Sequence, residues 1–405
     1  MNSEIAAKES LLQEAEHLHP EIVRLRRQLH RRPETGLVLP QTQAAVCAAL
    51  DGLGLEIFRG RQLSSVVAVL DGARPGATVL LRADMDALKL SETTGLEFAS
   101  EIGGVMHACG HDFHTAMLVG AARLLTARRE QVAGRVIFVF QPGEEGYAGA
   151  RLMIEEGLLE HYGHPTAAFA LHVAPTSPCG EISTRAGSVM AGAGNFSIVV
   201  NGRAGHPALP YQAIDPIPIA AEIVIALQTY VARRVKVFEP AVITVTSIQA
   251  GSSEVGAIPA RAAFNGTIRA VAEETRLHLF DAVRELAVNI ATAHGAAAAV
   301  EIVPGYPPVF NHPDIVDTVG TVSKQLLGSE RFRLLSAPIM PSEDFSYILA
   351  RAPGAIAFLG AQPVGTGPFA HVHSPELVLN EDALAVGMAL HAAVALHFTK
   401  CRLGS

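Results

Sequence analysis

Over the first 185 residues the apolar positions follow two alternating rhythms. Ser65–Leu70, Thr78–Ala83, Arg135–Gln141 and Ala167–His172 are short runs rich in β-branched residues and predict strands. Between them, Met117, Leu118, Ala121, Leu124 and Leu125 recur at helical spacing and predict a helix from His114 to Arg128; Gly149–Leu159 predicts another. Strands that are apolar along nearly their whole length have no solvated face. They predict a largely parallel sheet with helices covering both sides.

From about Ala186 to Pro304 the pattern changes. Asn195–Gly202 alternates as a strand, Asp215–Arg234 is helical, Ala241–Ala250 and Ala262–Ala270 are strands, Glu273–His294 is helical and Ala298–Val303 is a last strand. That β-α-β-β-α-β order is the split, ferredoxin-like unit. Residues 305–405 then resume with a strand at Ala355–Gly360 and a helix at Asp382–Phe398. At 405 residues the chain is too long for one growing core. The expected fold is therefore α/β: a discontinuous catalytic domain (1–185 and 305–405) with a mostly parallel sheet, and an inserted ferredoxin-like α+β lid or dimerisation domain (186–304). No internal repeat interrupts this reading.

Composition narrows the partners. Hydrophobic residues make up 49% and charged residues 17%, ample for a packed core. The 31 Lys and Arg stand against 39 Asp and Glu, a net of −8, with six Tyr and no Trp, which argues against a nucleic-acid partner. The Arg24–Arg32 cluster reads as the polar face of a first helix. The amino-terminal stretch is acidic and polar, without an apolar signal segment, and no uninterrupted apolar run reaches membrane-spanning length. The four cysteines (Cys47, Cys109, Cys179, Cys401) lie far apart with no Cys-x-x-Cys pair, as expected of a cytoplasmic protein with reduced thiols. Cys47 reads as a small buried hydrophobe. There is no P-loop, His-Glu-x-x-His or Gly-x-Ser-x-Gly motif. Gly365-Thr-Gly367-Pro-Phe-Ala370 fits a loose dinucleotide pattern but does not join a strand to a helix.

The chemistry concentrates elsewhere. Met106-His-Ala-Cys109-Gly-His111-Asp-Phe-His114 packs a thiol among several imidazoles, directly before a predicted helix. Asp84 and Asp86 follow one predicted strand, Glu144 and Glu145 another, and His172 ends a third. Ligands of open α/β sheets gather at such carboxyl ends. Thiolate, imidazole and carboxylate are the donors a borderline-soft divalent metal takes, and an adjacent spare carboxylate is the base a metal-activated water needs. Of the alternating His371 and His373, only one should face the site, and His373 is preferred because Ser374-Pro375 fixes the turn behind it. Asp86 is placed to orient a metal-bound imidazole. His107 and His114 read as supporting groups. In the inserted domain, His206 lies on a tight loop, and Arg269 reads either as a grip for a carboxylate or as a solvated strand arginine.

These residues resemble the amidohydrolase branch of the M20 metallopeptidases: hippurate hydrolases, N-acyl-amino-acid amidohydrolases and auxin-conjugate hydrolases. The resemblance runs almost end to end, through Arg26-Arg-Gln-Leu-His30 with Pro33-Glu-Thr-Gly36, Arg82-Ala-Asp-Met-Asp86, Met106-His-Ala-Cys-Gly-His-Asp112, Gln141-Pro-Gly-Glu-Glu-Gly146, Gly205-His206, Gly266-Thr-Ile-Arg269, Ser342-Glu-Asp-Phe345 and His373-Ser-Pro375. It implies two divalent metal ions (manganese or zinc) held by Cys109, His111, Glu145, His172 and His373, with Glu144 as general base. It also implies His206 as the oxyanion donor, reaching a neighbouring subunit's site, Arg269 as the contact for a substrate carboxylate, and a homodimer or higher homo-oligomer. The implied substrate is a small N-acyl amino acid, cleaved at its amide. Two positions depart from the pattern: Gly256 replaces the usual Asn before Ala-Ile-Pro259, and Lys89 replaces a proline. The Gly256 replacement keeps open another C–N bond, in a dipeptide or an aromatic amine. A non-catalytic metal-binding module is a third reading.

Overall fold

The structure is a computed structural model describing residues 2–251, 256–365 and 368–400; for residues 2–10 only the helical backbone is described. Cys401 and the centre of the Gly365–Ala370 run lie outside the described residues. The chain divides into two compact units, the first formed by Met1–Gly187, Phe310–Ser336 and Tyr347–Ser405, the second by Ser188–Val309 and Ala337–Ser346.

The strands of the first unit are β1 (Glu56–Arg59), β2 (Val66–Asp71), β3 (Arg74–Asp84), β4 (Ala133–Gln141), β5 (Ala167–Ala174) and β6 (Ile182–Thr184). β7 (Gly187–Met190) leads into the second unit, which holds β8 (Gly192–Asn201), β9 (Ala241–Ala250), β10 (Arg261–Ala270) and β11 (Ala297–Pro304). β12 (Val309–Asn311) leads back, to β13 (Phe332–Leu334) and β14 (Gly354–Gly360). The large sheet has the order β1-β2-β4-β3-β5-β14-β6-β13. Its central β4-β3-β5-β14 pairs are all parallel, and β1–β2, β2–β4 and β6–β14 are antiparallel. Val79–Leu81, Val136–Phe140, Ala167–Ala170 and Ala355–Ala357 are fully buried, which is why these strands read as continuous apolar runs.

The helices are α1 (Asn2–Arg31), α2 (Pro40–Leu50), α3 (His111–Ala127), α4 (Gly149–Glu155), α5 (Leu158–His161), α6 (Pro216–Arg234), α7 (Glu273–Ala293), α8 (Pro313–Leu327), α9 (Ser346–Leu349) and α10 (Ala383–Lys400). α3 and α10 pack together and against β3, and α1 packs on both. α10 is apolar and long enough to cross a membrane by composition, yet 89% of it is buried inside the structure, so it is a core helix. The stretch expected as one helix over Gly149–Leu159 is two, because Gly157 between them sits at φ +95°, in the left-handed region.

A second correction concerns the basic cluster on α1. Arg26 is not on a solvated face: it is 2% exposed, its Nε lies 2.8 Å from Asp112 Oδ2, and its Nη1 donates to Glu381 Oε1 at 3.2 Å. Arg27 binds the same Glu381 through two nitrogens. Cys47 is buried in α2, and Cys47, Cys109 and Cys179 are free thiols.

In the second unit the sheet order β11-β8-β10-β9 is antiparallel throughout, with α6 and α7 packed on it. Along β8, Phe196, Ile198 and Val200 are buried while Asn195 and Asn201 are exposed, the alternation of a sheet with one covered face. Asp215 caps α6 by accepting from the Ile217 amide.

Candidate metal centre

The carboxyl ends of β3, β4 and β5 lie side by side in the first unit, and each delivers candidate donors. Asp84 ends β3, the loop after β4 carries Glu144 and Glu145, and His172 lies near the end of β5. α3 begins at the same level and supplies Cys109 and His111 at its amino terminus. Gly110 between them has φ +82°, and a Cβ there would meet Val173 Cγ2 at 2.5 Å. Only glycine permits this bend and this contact, so the Cys-Gly-His order lets one turn present both donors.

Cys109 Sγ lies 3.5 Å from His172 Nε2, and donor atoms of Cys109, His111 and His172 all fall within 4.8 Å of one another. The same holds for Cys109, Glu145 and His373, and for His111, Glu144 and Glu145. The five residues expected as ligands thus converge, Cys109 belongs to two of the trios, and Glu144 stands against the cluster. His373 closes the exposed side from a left-handed backbone (φ +67°), with its amide donating to Ala108 O at 2.6 Å. His371 is exposed and takes no part in these groupings.

Supporting groups fix this arrangement. The Asp86 carboxylate accepts from the amides of both Glu144 and Glu145, each at 3.0 Å, and its Oδ1 lies 3.5 Å from His111 Nδ1. One side chain therefore sets the turn carrying Glu144 and Glu145 and the ring beside it. His172 Nδ1 donates to Val173 O at 2.8 Å, which places the ring's lone pair on Nε2, toward Cys109. His114 lies close to Asp84 and His111, but its Nδ1 donates to Asp84 Oδ1 (2.6 Å) and its Nε2 accepts from the Val173 amide (2.9 Å), so both ring nitrogens are committed. His30, which sequence reasoning did not single out, sits behind α3 between two carboxylates, Asp112 Oδ2 at 2.8 Å and Glu92 Oε1 at 3.3 Å. Its one local signal was the Arg26–His30 run.

The electrostatics describe a cluster of mutually neutralising charges. Burial would push the Cys109 thiol up, but His111 and His172 beside it bring it down to about 6. Hydrogen bonding to Cys109 and Glu145 raises His373 to about 10. Burial opposes a charge on His111, yet Asp84 and Cys109 hold its pKa well above the ordinary imidazole value. Without a cation, protons on the imidazoles balance the thiolate and carboxylates. Glu145 Oε1 is buried and accepts no aligned hydrogen bond, although His373 Nε2 lies 3.2 Å away. A divalent cation would satisfy that oxygen and replace those protons. The thiolate, imidazole and carboxylate donor set suits a transition metal.

The remaining expected residues lie in the second unit. His206 is exposed on the loop after β8, where its Nδ1 accepts from the Ala208 amide at 3.1 Å. Arg269 is partly buried on β10, and its Nη1 donates to Ser342 Oγ at 3.0 Å. Neither belongs to the donor groupings above. Gly256 is exposed at φ +148°, and Lys89 is exposed in the first unit.

A mostly parallel sheet with metal-type donors at three adjacent strand ends defines a metal-dependent hydrolase. Residues 80–397 match peptidase family M20/M25/M40, and the chain belongs to that family. It is 36% identical over 395 residues to thermostable carboxypeptidase 1 of Saccharolobus solfataricus, covering 96% of this chain and 98% of the relative. It is 38% identical over 383 residues to IAA-amino acid hydrolase ILR1-like 2 of Arabidopsis thaliana, covering 94% and 85%. The crystal structure of a dinuclear metal-binding peptidase of family M20 from Bacillus subtilis superposes with a TM-score of 0.81 at 34% identity, covering 95% of this chain and 99% of that one. The protein is an M20-family hydrolase.

Proposed function

We propose that the protein is an amidohydrolase that cleaves N-acyl or N-aroyl amino acids into a carboxylic acid and a free amino acid. Cys109, His111, Glu145, His172 and His373 hold two divalent ions, manganese or zinc. When bound, these ions supply Lewis acidity to the scissile carbonyl and lower the pKa of the attacking water. Glu144 takes the proton of that water and returns it to the leaving amine. Asp86 keeps Glu144 and Glu145 on their two tasks by clamping both backbone amides. His206 donates to the oxyanion of the tetrahedral adduct, from a neighbouring subunit of a homodimer, and Arg269 receives the amino-acid carboxylate. The protein works in the cytoplasm.

The observation that carries this reading is the buried Glu144, 7% exposed, with a donor atom within 4.8 Å of those of His111 and Glu145 and its amide tied to Asp86. Glu144→Gln keeps the shape and removes the base. Turnover of an N-acyl amino acid should fall by about 10²–10⁴-fold while the metal content measured by atomic emission stays at two ions. A variant retaining more than a few per cent of the wild-type rate, with metals bound, would assign the base elsewhere.

A dipeptide is the second substrate reading, favoured by the relative named as a carboxypeptidase. Both reactions release an amino acid from an amide. Assaying the metal-loaded enzyme against N-acyl amino acids, dipeptides and aminoarenes side by side separates them, and preference for either of the latter two would overturn the acyl-amino-acid assignment.

A further inference from the structure

β5 stays paired with β14 as far as Ala174, but the β3–β5 ladder stops at Arg82↔Ala170, so the β3-facing edge at the end of β5 must find its hydrogen-bond partners elsewhere. Beyond that point the Val173 amide donates to His114 Nε2 at 2.9 Å, and the Val173 carbonyl accepts from His172 Nδ1 at 2.8 Å. The Val173 side chain, meanwhile, lies against Gly110, the residue between Cys109 and His111. One residue, Val173, is thus held by His114 at its N–H and holds His172 with its C=O, the two peptide planes meeting at its Cα.

His114 is anchored in turn. An amide N–H donates to its Nε2, so the ring proton is on Nδ1 and goes to Asp84 Oδ1 at 2.6 Å. Asp84 Oδ2 accepts from Arg82 Nη1 at 2.6 Å, Arg82 Nε donates to Gln141 Oε1 at 2.8 Å, and Thr115 Oγ1 donates to Asp84 O at 2.8 Å. The chain Gln141–Arg82–Asp84–His114–Val173–His172 runs across the ends of β4, β3 and β5. Every side chain from Gln141 to His114 is at most 2% exposed. With both ring nitrogens engaged, His114 has no lone pair left for a metal, despite its place among metal-type side chains.

We propose that His114 is a positioning residue for the metal centre, acting on His172 through the Val173 backbone rather than by ligation. By anchoring the Val173 N–H it holds the backbone of Val173, whose carbonyl accepts from the His172 ring, and with it the direction in which His172 Nε2 points. The proposal rests on the assignment of His172 as a metal ligand, and the test separates the two.

The two nitrogens of His114 do different jobs, and two amides imitate them separately. In His114→Gln the side-chain oxygen reaches the Nε2 position and still accepts from the Val173 amide. In His114→Asn the side-chain nitrogen still donates to Asp84 but nothing reaches Val173. The measurement is zinc affinity of the purified full-length protein by competition with a chromophoric chelator. His114→Asn should bind the weaker ion about 10–100-fold less tightly, the scale found for partners that orient a ligand. His114→Gln should stay within about threefold of wild type on that scale. Melting of the metal-free proteins, read alongside, should place the two variants together, because a general packing defect affects both. Equal loss of affinity in Gln and Asn, or none in Asn, overturns the proposal. If His114→Asn does not fold, His114→Gln alone decides, since tight binding is required of it. His172→Ala is the control: unchanged zinc affinity and stoichiometry there would remove His172 from the ligand set. Lost affinity there with full affinity in His114→Asn would instead refute the positioning role alone.

Discussion

At the scale of single residues, the cluster's protons have a measurable consequence. In the metal-free protein His373 holds its proton up to about pH 10, and His111 holds its own well above the ordinary imidazole range, because thiolate and carboxylate lie beside them. Metal ligands must be deprotonated, so at neutral pH an incoming ion has to displace those imidazole protons. The Cys109 thiol, brought down to about 6, has already lost its proton there. The sign follows: affinity rises with pH, by about tenfold per unit for each proton displaced. Zinc titrations at several pH values in weak buffer with an indicator dye should show this rise together with proton release. A pH-independent affinity would mean the imidazoles are neutral before metal arrives. The donors were legible in the sequence because a Cys-Gly-His turn opening a helix and a Glu-Glu pair at the end of an apolar strand are chemically unusual. Arg26 was not. Its partners Asp112 and Glu381 are remote in sequence, and nothing in the local pattern of α1 distinguishes a buried arginine from its solvated neighbours.

At the scale of elements, the strands of the large sheet were readable because burial on both faces leaves little but β-branched and small apolar residues; β9, in the sheet with one covered face, also matches its expected bounds, Ala241–Ala250. Helices α2 and α8 were not assigned: α2 is short and weakly patterned, and its place comes from packing. The contact between α3 and α10 was also invisible in sequence. A Cβ on Gly120 of α3 would meet Met388 Sδ at 2.0 Å, and a Cβ on Gly387 of α10 would meet Met117 Sδ at 1.9 Å. Each helix gives up a side chain where the other inserts a methionine, so the pair approaches closely. Gly387→Ala gains up to about 1 kcal/mol of helix propensity, but overpacking a filled core costs about 1–3 kcal/mol. The expected result is a net loss, seen as a lower urea midpoint. In a Met117→Ala background the same substitution should cost less than it does in the wild type, since the two changes occupy the same space. A stabilised Gly387→Ala would show that Met117 moves aside freely.

At the scale of the whole molecule, two separate cores stand out among the described residues. One lies around β2–β5, α3 and α10, the other around β8, β10, α6 and α7. The sequence pattern marks the change from parallel-sheet runs to alternating strands, but nothing in it announces that residues 337–346 group with the second unit, because that membership rests on contacts rather than periodicity. All five proposed ligands are in the first unit, so metal should stabilise that unit and leave the other untouched. An ion at 100 times its dissociation constant adds about 2.7 kcal/mol to the state that binds it, which slows exchange through unfolding of that state by about 100-fold. Hydrogen exchange followed by mass spectrometry reads the two cores separately, without requiring them to melt separately. Chelation should speed exchange in peptides covering β3, β4, β5 and the start of α3, by up to that factor, while peptides from α6, α7 and β10 keep their rates. Deprotection of the second core on chelation would place metal-dependent stability there as well, and unchanged exchange in both would mean that Cys109, His111, Glu145, His172 and His373 do not hold the ions.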